Sequence, residues 1–375
     1  MSYSVFVAGS GGIGTAVAIL LRHVWEEEVN IVFGDILLSI AQAACTEVQQ
    51  VGEASGTLQS VEMKDDWEQR VAHCDILLDC LPGRLAPEMA RLAIRNNMHY
   101  VNLTEYVAET KEILELAKDA PVGLALQSGL APGFVNVLGN GLFQQFCREY
   151  GVEKADLLEM RVGALGRNAI APHFYAFTWS PIGVATEYIK DAEVLRNHVL
   201  ERRASLSETK TLIIGGRVYE EDFTSGGAAD LPISLSDKIS NIDYKTLRYP
   251  GHFRWIKDAL ERCPNYQDPI SYLENYMLAQ IPRVEDDEVI IYAAVQGLDA
   301  QGMLRRVEAD YRVLPLSIGT GTLRAIQSTT AAGMAECARM LLTKNIKGPL
   351  LQSQIDPEEF LQGPFVSLVY TQQNT

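Results

Sequence analysis

Apolar residues along the chain follow two regimes, and the first runs to about residue 130. There, short apolar runs alternate with segments of helical period. Runs over 4–8, 29–34, 58–63, 75–80, 99–103 and 122–127 predict strands. Segments 13–24, 38–51, 66–73, 86–97 and 108–118 predict helices. Around the segment 86–97, Leu85, Met89, Leu92 and Ala93 fall on one face, and Pro87 takes a first-turn position, where its missing N–H costs nothing. Strands alternating with helices predict a doubly wound parallel sheet of the Rossmann kind.

From about residue 155 the strands lengthen, over 155–164, 173–179, 209–219, 242–249, 288–299 and 302–314. Helices at 182–191 and 251–262 interrupt them. Gln296 to Gly302 forms a turn between two alternating runs, which predicts an antiparallel hairpin. This stretch reads as a second, α+β domain with a mostly antiparallel sheet. A long helical pattern from Ser317 to Leu342 is expected to pack back on the first domain. The expected division is therefore 1–130 with about 317–375 as the first domain, and 131–316 as the second. Ser225-Gly226-Gly227 reads as a mobile loop, and no repeat or low-complexity segment is visible.

The first apolar run, Val5 to Ala8, opens directly into Gly9-Ser10-Gly11-Gly12-Ile13-Gly14. A helical pattern follows (Ile13, Val17, Leu20, Leu21, Val24), and then a second run ending at Gly34-Asp35. The acid lies about 20 residues beyond the last glycine, the spacing of a dinucleotide fingerprint. Gly9 allows the turn, Gly11 lets backbone approach a pyrophosphate, and Gly14 lets helix and strand pack closely. The helix N-terminus offers N–H groups and a positive dipole to phosphate. Asp35, with Ile36 beside it, is the candidate contact to the adenosine ribose. Its carboxylate would repel a 2′-phosphate, and no Arg or Lys follows in Ile36-Leu37-Leu38-Ser39, so NAD is expected over NADP.

Ligands of open α/β sheets bind beyond the carboxyl ends of the strands. Cys80-Leu81-Pro82-Gly83 stands at such an end and is placed to meet the cofactor. Cys80 itself reads as a small apolar filler rather than a nucleophile. The next end, His99 to Glu105, offers Asn102 and Glu105 to the nicotinamide ribose or the substrate; capping of the helix near 108 is the other reading. The turn Gln127 to Asn136 contains Leu130 and Pro132, and can present backbone amides to the nicotinamide carboxamide.

Candidate substrate groups lie in the second regime. Tyr244 to His252 brings Arg248 and His252 to a strand-to-helix junction. Arg can clamp a carboxylate through two donors, and His exchanges protons near neutral pH. The alternative for His252 is helix capping. Glu187, after the Phe177 to Gly183 junction, is a candidate for a substrate ammonium or else a solvated helical acid. Arg161 is a further candidate for a substrate carboxylate.

The full chain of 375 residues is 47% hydrophobic and 21% charged, an ordinary globular balance. A net charge of −16 argues against nucleic acid or an anionic membrane as partner. Six cysteines (Cys45, Cys74, Cys80, Cys147, Cys263, Cys337) show no C-x-x-C spacing, so neither a disulfide framework nor a metal site is expected. The first residues run straight into a strand and no apolar run reaches membrane-spanning length. A cytoplasmic location is expected.

Together GSGGIG, CLPGRLAPEMARLAI, HYVNLTEY, SGLAPGFVNVLG and KTLRYPGH resemble the saccharopine dehydrogenase-like family. The GLAPG form and SPIGVATEYIKDAEVLRN most resemble its lysine 6-dehydrogenase branch. The resemblance implies a Rossmann domain, a substrate-binding and dimerisation domain, a homodimer, and NAD(P)-linked chemistry at a carbon–nitrogen bond of an amino acid. Asn102 departs from the Asp usual in relatives, and Gln354 from a common Glu; both bear on the substrate. The expected reaction is NAD-dependent oxidation of an amino-acid C–N bond, as in lysine 6-dehydrogenase or saccharopine dehydrogenase. His252 is expected to move the proton and Arg248 to hold the carboxylate, in a cleft between domains. Two alternatives are NADP(H)-dependent reductive condensation of an aldehyde with an amine, and a non-catalytic NAD(H)-binding regulatory protein.

Overall fold

The computed structural model describes residues 2–105, 107–262 and 268–370. Tyr106 of the HYVNLTEY segment, Cys263 and the end of the expected C-terminal segment, 371–375, lie outside the described residues. Two units divide the chain. Unit 1 comprises Met1–Phe134, Leu316–Leu323 and Gln327–Val369, and unit 2 comprises Val135–Pro315, Arg324–Ile326 and Tyr370–Thr375.

The chain opens with β1 (Ser2–Ala8), α1 (Gly12–His23), β2 (Glu28–Asp35), α2 (Leu38–Val51), β3 (Leu58–Glu62), α3 (Trp67–Val71) and β4 (Ile76–Asp79). It continues with α4 (Ala86–Arg95), β5 (His99–Asn102), α5 (Val107–Ala117) and β6 (Gly123–Ala125). Unit 2 follows with α6 (Phe134–Tyr150, whose first residue closes the preceding segment), β7 (Ala155–Gly166), α7 (Pro181–Ile189), β8 (Ala192–Arg196) and β9 (Val199–Arg203). Then come β10 (Lys210–Ile214), β11 (Arg217–Phe223), α8 (Leu231–Ser234), β12 (Ile239–Arg248), α9 (His252–Glu261), α10 (Pro269–Leu278), β13 (Asp287–Leu298) and β14 (Leu304–Val313). The last elements are β15 (Leu316–Ile318), β16 (Gly321–Leu323), α11 (Ala325–Thr343), β17 (Gly348–Leu350), α12 (Pro357–Gln362) and α13 (Pro364–Val369).

Unit 1 is built on a seven-stranded sheet in the order β17-β6-β5-β4-β1-β2-β3, with every pairing parallel. The order reverses between β1 and β4, so their carboxyl ends form the crevice where such sheets bind ligands. Phe6, Leu77, Tyr100, Met89 and Ile113 lie in the apolar layer on one side of this sheet. Burying a side chain such as Phe6 contributes about 2 kcal/mol.

Unit 2 holds a sheet of order β10-β11-β12-β7-β13-β14, extended by β8 on β12 and β9 on β8. Its pairings are antiparallel except β12 with β7. The β13–β14 hairpin forms as its alternating runs predict, with Val289 opposite Val313 and Leu298 opposite Leu304.

Several expected elements differ. Segment 173–179 is not a strand: Phe177 makes one isolated bridge to Arg283. Its apolar residues Tyr175 and Phe177 instead fill a core with Val184, Tyr188, Phe253 and Leu273. Segment 209–219 is not one strand but β10, a turn at Gly215-Gly216, both at positive φ, and the start of β11. The β8–β9 hairpin and α10 carried no recognised pattern. The helical pattern from Ser317 begins only at Ala325; before it, β15 and β16 form a small hairpin whose Thr320 N–H donates to Val51 O at 2.9 Å.

At the junction to α11, buried Asp287 accepts the Ala325 N–H at 2.7 Å and the Ile326 N–H at 2.9 Å. These donors open a helix and have no partner in its own ladder. Asp287→Ala is expected to lower the free energy of unfolding by about 2 kcal/mol, read by chemical denaturation, with Asp287→Asn recovering part of it.

Candidate functional site

In unit 1 the glycine turn is shaped by approaches too close for any side chain. Gly9 has φ +93°, and a Cβ there would stand 2.8 Å from Cys80 O. A Cβ on Gly14 would stand 2.1 Å from Gly9 O. At Gly11, by contrast, a Cβ would meet nothing within 4 Å, so the space over this residue is open. Gly11 is the N-cap of α1 and supplies no capping side chain. An uncapped helix start beside open space is an arrangement that can receive phosphate oxygens.

Asp35 ends β2 and is fixed by two backbone donors: Ser10 N–H to Oδ2 and Leu37 N–H to Oδ1, each at 3.2 Å. Ser10 is buried, and its hydroxyl donates to Gly34 O at 3.1 Å. Beside the carboxylate, Ile36 and Leu37 are 65% and 52% exposed. An acid flanked by exposed apolar side chains suits a sugar hydroxyl with an adjacent planar base. The open space at Gly11, the uncapped helix start and the anchored acid all fit a dinucleotide.

The other end of the crevice follows β4, β5 and β6. Buried Asp79 accepts from Tyr100 OH at 2.8 Å and from Leu81 N–H at 3.0 Å. Burial raises its carboxyl to about 6, against the pull of those bonds. Cys80 and Leu81 are half-buried and Pro82 is exposed. Burial pushes the Cys80 thiol far above its usual range, so it is no thiolate nucleophile.

Asn102 is 1% exposed, and its Oδ1 accepts the Gln127 N–H at 2.9 Å; it caps the turn after β6 rather than the helix after β5. Its buried Nδ2 lies near the Tyr100 hydroxyl without a hydrogen bond of good geometry. Glu105 is half-buried between β5 and α5. Leu130 and Pro132 are buried in a turn closed by Gly129 N–H to Pro132 O at 3.0 Å and Phe134 N–H to Gly129 O at 2.9 Å.

Sequence reasoning missed two residues that meet these turns, one at the glycine turn and one after β6. Gln327, on α11, donates to Gly12 O at 3.3 Å, and Gln352, after β17, donates to Leu126 O at 2.7 Å. Neither stands in a local motif. Gly333, also on α11, lies against the turn: a Cβ there would stand 2.4 Å from Gly129 O.

In unit 2, Arg248, Glu187 and His252 come together. α7 starts at Ser180, whose hydroxyl accepts the Gly183 N–H at 3.4 Å, and presents Glu187 and Tyr188. β12 ends at Arg248, and the chain turns at Gly251 into α9. Arg248 Nε donates to Tyr188 OH at 2.6 Å. Tyr188 OH lies 3.0 Å from His252 Nε2, and His252 Nδ1 lies 2.6 Å from His173 O. A carbonyl only accepts, so Nδ1 carries the proton, and Nε2 accepts from Tyr188. The Arg248 guanidinium lies over the Tyr175 ring at 4.8 Å and the Tyr188 ring at 5.5 Å. Its Nη2 is 4.0 Å from the buried Glu187 carboxylate, which is thus no solvated helical acid.

Two expected roles change. His252 is fully buried with both ring nitrogens engaged, and burial, assisted by the Arg248 charge, lowers its pKa to about 3. A neutral imidazole so held orients Tyr188; it is not poised to take a proton near neutrality. Arg161 does not join the cluster. It pairs with Lys245 in the sheet register and bonds Glu221, Asp243 and Glu159. Arg248 lies three residues beyond Lys245 on β12 and so points to the opposite face. Among the described residues, no three His, Cys, Asp or Glu side chains gather as a metal would require, and no helix is long and apolar enough to cross a membrane.

Comparison with known proteins places this geometry. Residues 5–125 match the saccharopine dehydrogenase NADP binding domain, and residues 129–366 match the saccharopine dehydrogenase C-terminal domain. The chain belongs to the saccharopine dehydrogenase family. Over 273 residues, 72% of its length, it is 23% identical to the mitochondrial alpha-aminoadipic semialdehyde synthase of Mus musculus, spanning 25% of that protein. Apo saccharopine dehydrogenase (L-Glu forming) from Saccharomyces cerevisiae is similar with a TM-score of 0.71 at 15% identity, over 97% of this chain and 96% of that one. Homospermidine synthase from Legionella pneumophila, solved in complex with NAD, gives 0.65 at 13% identity, over 99% and 91%. At such identities these structures establish the fold.

The buried His252 has a measurable consequence. Its folded pKa lies below the unfolded value of about 6.5, so only the unfolded state takes up the proton between the two. Its contribution to stability is full above pH ~6.5 and falls as the pH drops towards the folded value. Histidine-ring NMR, assigned with His252→Asn, is expected to show no titration of this ring between about pH 5 and 8. A midpoint near 6.5 would contradict the buried, neutral assignment.

Proposed function

We propose that this member of the saccharopine dehydrogenase family is an NAD-linked dehydrogenase acting on a carbon–nitrogen bond of an amino acid, with lysine oxidised at its ε-carbon as the first case to test. The observation that carries the reading is Arg248, a buried guanidinium gripped by Tyr188 and stacked on Tyr175, with the Glu187 carboxylate at 4.0 Å. An adjacent cation and anion complement the carboxylate and ammonium of an amino acid.

Bound at the glycine turn, the pyridine nucleotide supplies the hydride acceptor. The chain's own residues do the rest. Asp35 accepts from the ribose hydroxyls, and its charge disfavours a 2′-phosphate; this supports NAD. The start of α1 meets the pyrophosphate. Arg248 holds the substrate carboxylate, Tyr188 fixes the guanidinium, and neutral His252 fixes Tyr188. Oxidation removes a hydride and a proton from the C–N unit, and water then converts the imine to a carbonyl, releasing the nitrogen. Holding substrate groups in place contributes several kcal/mol towards such a step, roughly what orientation supplies elsewhere. A homodimer belongs to the same proposal and is tested by sedimentation.

A second reading, NADP(H)-dependent reductive condensation, draws on the matched domain's description as NADP binding and on the likeness to homospermidine synthase. A screen of NAD⁺ and NADP⁺ reduction with lysine, ornithine, saccharopine and diamines separates the two. The expected result is NAD⁺ reduction with an amino acid. Arg248→Lys is expected to raise KM about tenfold, equivalent to ~1.4 kcal/mol, with kcat less affected. Protein that binds NAD(H) but reduces it with no amino acid or polyamine overturns the dehydrogenase assignment.

A further inference from the structure

The face of the unit 2 sheet that carries Arg161 borders a cavity of about 800 Å³. Arg161, Asp243, Lys245 and Glu221 project into its wall, and each side chain is only 2% or 8% exposed. Arg161 bonds Asp243 at 2.6 Å and Glu159 at 3.1 Å, besides Glu221. Lys245 lies 3.1 Å from Glu221, with its ammonium 4.5 Å over the Phe223 ring.

Such a set is a poor stabilising device. Desolvating buried ion pairs costs about what their attraction returns, and apolar side chains of equal volume serve a core at least as well. Nor is the set packed shut: the space beside it is open to solvent on one side and has the volume of a ligand pocket.

The lining residues indicate the ligand. Beyond the buried four, the wall includes Arg203, paired with Glu201, and Lys210, paired with Glu208, both about half exposed; Glu208 also lies 3.4 Å from Lys245. Throughout the wall, basic and acidic side chains alternate and balance, on a chain with 32 Lys and Arg against 48 Asp and Glu. A pure anion would meet the acids, and a pure cation the bases. A molecule carrying both charges satisfies each.

We propose that this cavity is a second binding site, for a free zwitterionic α-amino acid, on the sheet face opposite Arg248. Arg203 and Lys210 receive its carboxylate, and Glu208 its ammonium. The site is independent of turnover and of the dehydrogenase reading.

Titration calorimetry on the full chain without nucleotide tests it, using L-lysine and L-glutamate as probes, with glutarate and pentane-1,5-diamine as single-sign controls. Saturable binding of an amino acid is expected, at least tenfold tighter than either control. The double variant Arg203→Gln, Lys210→Gln changes only half-exposed side chains without setting like charges against Glu201 and Glu208, and is expected to weaken amino-acid binding at least tenfold, with melting temperature and NAD⁺ binding unchanged. Arg248→Lys is expected to leave the cavity titration intact, which separates this site from the proposed substrate site. Three results overturn the proposal: no amino acid binds, a control binds as tightly, or the double variant binds like the parent.

Discussion

Backbone approaching backbone, with no side chain between, is the constraint on which the nucleotide end of the molecule depends. Gly14 lies so close beneath Gly9 O that a Cβ would stand 2.1 Å away, and Gly9 lies against Cys80 O. The first approach seats α1 on the turn; the second brings the ends of β1 and β4 together at the point where the strand order reverses. The same device recurs at Gly333, where α11 meets the carbonyl of Gly129. A methyl group at any of these positions would push apart elements whose spacing defines the crevice.

Unit 2 depends on a different rule, the alternation of side chains along a strand. β12 sends Lys245 to one face and Arg248 to the other. Each cation is buried, and each is matched differently: Lys245 by acids at a cavity, Arg248 by a tyrosine hydroxyl, two aromatic faces and one more distant carboxylate. Arg248 is thus fixed in place while its charge is less completely neutralised by acids. That difference supports the proposal that Arg248 receives an anionic substrate. His252 contributes as an anchor, since a ring donating to His173 O and accepting from Tyr188 cannot also serve a third partner.

Local signals made unit 1 legible. The strand, glycine turn, helix and acid from Val5 to Asp35 are contiguous, and each step has its own residue signature. Unit 2 was legible where patterns were local, as in the β13–β14 hairpin, and misread where packing decided. Tyr175 and Phe177 look like strand residues but fill a helix-lined core as irregular chain. The mostly exposed Val199-Leu200-Glu201-Arg202-Arg203 strand lacks a clean alternation. Arg248, Glu187 and His252 drew notice because each sits at a strand-to-helix junction or in a helix beside one, and the structure brings the three together. Arg161 was misassigned because its face depends on register, and a register exists only between strands. Gln327 and Gln352 reach Gly12 O and Leu126 O from remote sequence, with no spacing to announce them.

The central claim is that the turn at Gly9 to Gly14 and the acid at Asp35 form a site for NAD. A crystal structure with bound NAD⁺ tests it most directly. The account predicts the pyrophosphate at the start of α1 over Gly11, and the adenosine ribose hydroxyls within hydrogen-bond distance of the Asp35 carboxylate. Nucleotide bound elsewhere, or a 2′-phosphate accommodated beside Asp35 when NADP⁺ is supplied, would contradict it.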